Sequence, residues 1–248
     1  MSKKEHITDI LQHNFRPRYV KEYFHFETGR LQEVAIPMLC FCDIALSSIN
    51  EHAKWYGSYG IGMKHEWALE KGLTPVHYYN PQSYLIRYLS NSLSDLRVGL
   101  YNGTINPDAF ISNYFNLWFM KPYEGKQYSK ITGKTEIKKF YDEKEWRFIP
   151  SLNDLKELDE GLNMSVLGEE LVKYETCVNF RNHINKRLGE SINLDFTPQD
   201  ISYIIINNED ERHEIIEAIK QVMGHFTNSA IELVISKIIS LEQVLNDF

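Results

Sequence analysis

Cysteine is scarce in this chain of 248 residues: Cys40, Cys42 and Cys177 are the three it has. Cys40 and Cys42 alternate within an apolar run and Cys177 stands far away in a helical pattern, so no disulfide framework is indicated and buried thiols are expected. No spacing among Cys40, Cys42, His52, His65 and His77 matches a zinc site, and no metal is expected. Long apolar runs are missing too. Nothing approaches the roughly 20 residues of a membrane span, and residues 1–6 are polar rather than the core of a secretory signal. The expectation is a cytoplasmic protein with no membrane partner. A long basic run is also absent, and with a net charge of −7 the chain carries no strong signal for nucleic-acid binding.

Aromatic residues are plentiful, with 15 Tyr and 13 Phe, a content that suits packed sheets and pockets that stack planar rings. The length allows a single domain over residues 1–248. Periodicity predicts a helix over residues 5–13, interrupted by Pro17, then strands at 23–26 and 34–41 and a helix from Ser47-Ser48 to about Trp55. A strand at 59–63 among closely spaced glycines, a helix at 65–71 ended by Gly72 and a strand at 75–79 follow. Leu85, Tyr88, Leu89, Leu93 and Leu96 form a helical stripe expected in the core. Asn106-Pro107-Asp108 opens a helix or turn, residues 114–119 look strand-like, and 121–138 read as a loop or long hairpin. A helix over 168–188, a short strand at 192–196, a β-branched strand at 201–206 and a helical C-terminal segment, 208–247, complete the pattern. The apolar stripe Ile231, Val234, Ile235, Ile238, Leu241 and Leu245 is a core face, the face of a homodimer formed through that segment, or a docking face for a partner. This alternation indicates an α+β fold, with a mixed, mostly antiparallel sheet flanked by helices.

The densest cluster of chemistry is Glu143-Lys144-Glu145-Trp146-Arg147-Phe148. As a strand with a side-chain period of two, it places Glu143, Glu145 and Arg147 on one face and Trp146 and Phe148 on the other. The aromatic pair would then be the buried face, and the charged face would look to solvent or to a cleft.

Four segments carry a resemblance: Phe15-Arg16-Pro17-Arg18-Tyr19, residues 36–43, residues 56–63, and Glu143-Lys144-Glu145-Trp146-Arg147. Their order and spacing resemble the AbiGi family of abortive phage infection proteins, usually described as the antitoxin half of a two-gene system. A wider likeness is to the ADP-ribosyltransferase superfamily, in which a strand carries a glutamate two residues after another Glu or Gln. That likeness implies an ADP-ribosyltransferase-like fold and NAD as cofactor. Glu145 would stabilise the oxocarbenium character of the ribose and Glu143 would orient or deprotonate the acceptor. Arg18 and His25 would hold the dinucleotide, and Tyr56 and Tyr59 would stack nicotinamide. The superfamily's Ser-Thr-Ser segment is missing, which counts against catalysis.

Two other readings compete. Pro107-Asp108 with Asp142-x-Lys144 has the spacing of a metal-dependent nuclease, although Asn106-Pro107 is better explained as a helix start. The other is a non-enzymatic antitoxin that binds a cognate toxin, in which Glu143 and Glu145 are structural or interface charges.

Overall fold

A computed structural model describes residues 1–26, 30–129, 132–156 and 162–247. The first third of the chain forms α1 (Glu5–His13), β1 (Arg18–Phe26), β2 (Arg30–Cys42), α2 (Ile49–Tyr56), β3 (Gly60–Met63), α3 (His65–Glu70), β4 (Thr74–Pro75) and β5 (His77–Tyr79). Next come α4 (Tyr84–Tyr101), α5 (Pro107–Leu117), β6 (Met120–Pro122), β7 (Glu124–Ser129), β8 (Lys134–Lys139) and β9 (Glu145–Phe148). The remainder is α6 (Leu152–Lys156), α7 (Gly168–Thr176), α8 (Val178–Ser191), β10 (Ile201–Ile206), α9 (Arg212–Val222), α10 (Asn228–Ile235), β11 (Ile238–Ser240) and α11 (Leu241–Asp247).

The class is α+β, as composition and periodicity indicate. Among the described residues the strands divide into four small, mostly antiparallel sheets rather than one. In the largest, β1 and β2 form a long antiparallel hairpin from Arg18 opposite Met38 to Phe26 opposite Arg30. Beyond Met38, β2 changes partner and pairs with β9, Leu39 opposite Phe148 through Cys42 opposite Glu145. The other edge of β9 is covered by β4, with Thr74 opposite Arg147. A second sheet sets β10 between antiparallel β3 and parallel β11. The β7–β8 hairpin occupies the polar stretch read as a loop or hairpin.

Burial follows the same division. Ile201, Ile204 and Ile206 of β10 pack with Ile7 and Leu11 of α1 and with Ile219 and Val234 of the C-terminal helices. Val34, Ile36 and Met38 of β2 pack with Leu93, Leu117 and Trp118. Gly57 closes α2 at a positive φ of 100°, where a Cβ would run into the backbone of Met1.

Several elements differ from expectation. Residues 114–117 belong to α5: Asn106 caps the helix by accepting from the Asp108 amide at 2.8 Å. Aromatic rings four apart meet, Phe110 with Tyr114 at 5.9 Å within the helix and Phe115 with Phe119, just past its end, at 5.7 Å, so helical spacing overrides aromatic β preference. The helix over 168–188 is two helices joined at Cys177. The C-terminal segment contains β11, which buries Ile238, so the apolar stripe breaks there; Ile231, Val234 and Leu241 also lie in the core and Leu245 is exposed. On α4 the inward residues are Ile86, Ser90 and Leu93, while Leu85 and Tyr88 face solvent. All three cysteines are free, but Cys40 is exposed and Cys42 and Cys177 are half-buried; Cys40 and Cys42 lie beyond Met38, where β1 no longer covers β2.

Candidate functional site

β9 brings a charged side chain into the interior at every second residue. Arg147 has no exposed surface and Glu145 is 3 % exposed, whereas Trp146 and Phe148 are half-buried against Phe15, Trp67 and Leu73. The faces are therefore divided as predicted, but their burial is reversed. The reason is topological: β2 and β4 pair with both edges of β9, and β6, β8 and α2 supply partners for the charged face.

Glu143 is not on the strand. Residues 140–143 make one turn of 3-10 helix and Lys144 takes a left-handed conformation at φ 44° and ψ 52°. That reversal returns the Glu143 side chain to the same interior as Glu145.

Three carboxylates and three cations meet there. The Arg147 guanidinium donates from Nε to Glu145 Oε1 at 2.6 Å, from Nη2 to Glu22 Oε1 at 2.7 Å and from Nη1 to the Trp118 carbonyl at 2.6 Å. Lys121 of β6 donates to Glu145 Oε2 at 2.5 Å and to Glu143 Oε2 at 2.9 Å. Lys138 of β8 donates to Glu143 Oε1 at 2.5 Å and to the Tyr56 hydroxyl oxygen at 3.0 Å. Tyr56 in turn donates its hydroxyl proton to Glu143 Oε1. The Tyr78 hydroxyl accepts from the Glu145 amide at 2.8 Å.

Protonation follows from this balance. Burial pushes the Glu145 carboxyl up, but Arg147 and Lys121 outweigh it and hold the group at about 2. Glu143 is likewise lowered, against burial, by Lys121, Lys138 and Tyr56. Burial raises Glu22 despite Arg147. Burial also lowers Lys138 and, with Lys138 beside it, takes His52 down to about 4. The Cys42 thiol is pushed up to about 12, by desolvation first and then by Glu143 and Glu145. Both oxygens of Glu143 and of Glu145 are occupied by cationic donors of the same chain, an arrangement that locks β9, the β7–β8 hairpin and α2 together.

Of the residues predicted for a site, Glu143, Glu145 and Tyr56 are thus brought together. Tyr59 points its hydroxyl to Glu211, with oxygens at 2.9 and 3.0 Å, in the neighbourhood of the β10 core. Arg18 is exposed at the start of β1. His25 stands opposite Leu31 by its backbone, and its side chain lies outside the described residues. Pro107 and Asp108 begin α5, as a helix start, and Asp142 pairs with Lys139 at the surface. Among the described residues no group of three His, Cys, Asp or Glu is arranged to hold a metal, and no helix is long and apolar enough to cross a membrane.

Sequence reasoning missed Glu22, Lys121, Lys138 and Tyr78. A signal existed for Glu22, a lone carboxylate at alternate positions between Val20 and Phe24, both of which pack into the β2 core.

The fold and this interior define an α+β protein organised around a buried ion-pair network. The model of the family described as "Putative abortive phage resistance protein AbiGi, antitoxin" matches residues 13–207. A relative from Lactococcus lactis subsp. cremoris, "Abortive phage resistance protein AbiGi", is 32% identical over 257 residues, covering 94% of this chain and 99% of its own. The chain belongs to the AbiGi family of abortive phage resistance proteins. No solved structure matches it significantly.

Proposed function

We propose that this chain serves abortive phage defence as an antitoxin, binding a cognate toxin protein and holding it inactive, rather than by NAD chemistry. The observation that carries the reading is the engagement of both oxygens of Glu143 and Glu145 by Lys121, Lys138 and Arg147. A transferase needs at least one of these carboxylates free to meet ribose or acceptor. The family description as an antitoxin supports the same reading.

Expression of the chain alone, and beside the neighbouring gene of its operon, tests it. Harmless expression that rescues cells from the neighbour's toxicity is the expected outcome. Growth arrest by the chain alone, abolished by Glu145→Gln, would overturn it and favour an NAD-dependent ADP-ribosyltransferase. Calorimetry with millimolar NAD supplies the second readout, and no heat of binding is expected.

A further inference from the structure

α4 buries one side only. Ile86, Ser90 and Leu93 point into the core, while Tyr84, Leu85, Tyr88, Val98 and Tyr101 are each more than half exposed, Tyr101 at 92 %. Aromatic side chains carry roughly 150–250 Å² each, so these five expose on the order of 500 Å² of mostly apolar surface along one helix. That is the upper part of what a monomer ordinarily shows in one patch, and such patches mark interaction sites.

The chemistry of this face is matched about Asn91. Tyr84 and Val98 stand seven residues to either side of it, and Arg87 and Asp95 stand four. At 3.6 residues per turn all five positions fall on a face about 80° wide, and all five residues are exposed. The Arg87 guanidinium lies 5.3 Å from the centre of the Tyr84 ring, which keeps the cation on this face. Outward from the centre, cation is therefore matched by anion and apolar side chain by apolar side chain, with an amide in the middle. A two-fold axis between antiparallel helices imposes this matching, since in an isologous contact residue i meets j and j meets i. An unlike partner imposes no such symmetry.

We infer that α4 is the contact face of a homodimer, packed antiparallel on α4 of a second copy with the two-fold axis at the level of Asn91. Arg87 then stands level with Asp95 of the second copy, and the pair occurs twice. Tyr84 packs against Val98 of the other copy at each end, and the two Asn91 amides meet at the axis. Two such faces withdraw about 1,000 Å² from water, the lower bound of a specific interface, so association falls in the micromolar range. The C-terminal stripe has no part in this contact, because its Ile231, Val234 and Leu241 lie in the core. This inference is independent of the antitoxin reading.

Sedimentation equilibrium of the full-length chain, from about 1 to about 300 μM, tests it. The mass is expected to rise from 29.2 kDa towards twice that value, half-way at roughly tens of micromolar. Arg87→Asp and Asp95→Arg each set like charges opposite one another, at exposed positions, and each should weaken self-association by roughly tenfold or more. Mixed in equal amounts, the two variants restore both ion pairs in the reverse sense, and they should associate with each other about as tightly as the native chain does with itself. A native chain that stays at 29.2 kDa throughout, whether or not the neighbouring gene's product covers α4, would overturn the assignment. So would single variants that self-associate as tightly as the native chain, or a mixture that associates no better than either variant alone.

Discussion

Arg147 is the residue on which the interior turns. Its guanidinium is wholly buried and raised far above its ordinary range: desolvation opposes the charge, but Glu22 and Glu145 outweigh it. Removing one partner from a buried pair leaves the other charge desolvated and short of its counterion, at a cost of about 3–5 kcal/mol. Arg147→Met should therefore lose stability on that scale, read as a fall in urea midpoint at pH 7 with unchanged slope. The exposed pair Lys54–Glu51 provides the contrast, because screening leaves such pairs about 0–1 kcal/mol. Sequence alone placed Glu143, Glu145 and Arg147 on one face, and that was right for the pair on β9. It did not reveal that the face is internal, since the neutralising groups Glu22, Lys121 and Lys138 lie on β1, β6 and β8, and the first two stand 125 and 24 residues from the β9 side chains they meet.

At the scale of elements, local chemistry was most legible where a terminus announces itself. Asn106-Pro107-Asp108 marks the start of α5, and Asn106 does accept from the Asp108 amide. Asn106→Ala should cost about 1 kcal/mol and lower the thermal midpoint by a few degrees, measured by circular dichroism. The helix over residues 5–13 and the β10 strand were equally plain, the first from its periodicity and the second from its run of β-branched residues. The strand-like look of 114–119 misled because the same aromatic residues suit strand and helix, and only i,i+4 ring contacts decide. β11 was hidden for another reason. Three residues paired in parallel with β10 carry no periodic signal of their own and exist because Ile204, Ile205 and Ile206 offer them a template.

At the scale of the molecule, the charge network is the joint between the β1–β2–β9–β4 sheet, the β7–β8 hairpin and α2. The family resemblance was visible in four short segments, and two of them, around residues 36–43 and 143–147, are the paired strands β2 and β9. What those residues do was not visible, because a Glu-x-Glu spacing fits a transferase strand and a structural lock equally well until burial is known.

Glu145 is an anion held in the interior by Arg147 and Lys121. Its folded carboxyl lies at about 2, against an ordinary 4.5. A depressed carboxyl stabilises the fold fully above its unfolded value, and the contribution is lost as pH falls through the folded one. The decisive measurement is the difference in unfolding free energy between the native chain and Glu145→Gln, by urea denaturation at pH 7 and at pH 3. The account predicts a deficit on the order of 3 kcal/mol at pH 7, shrinking to roughly half or less at pH 3. A variant as stable as the native chain at pH 7, or a deficit independent of pH, would contradict it.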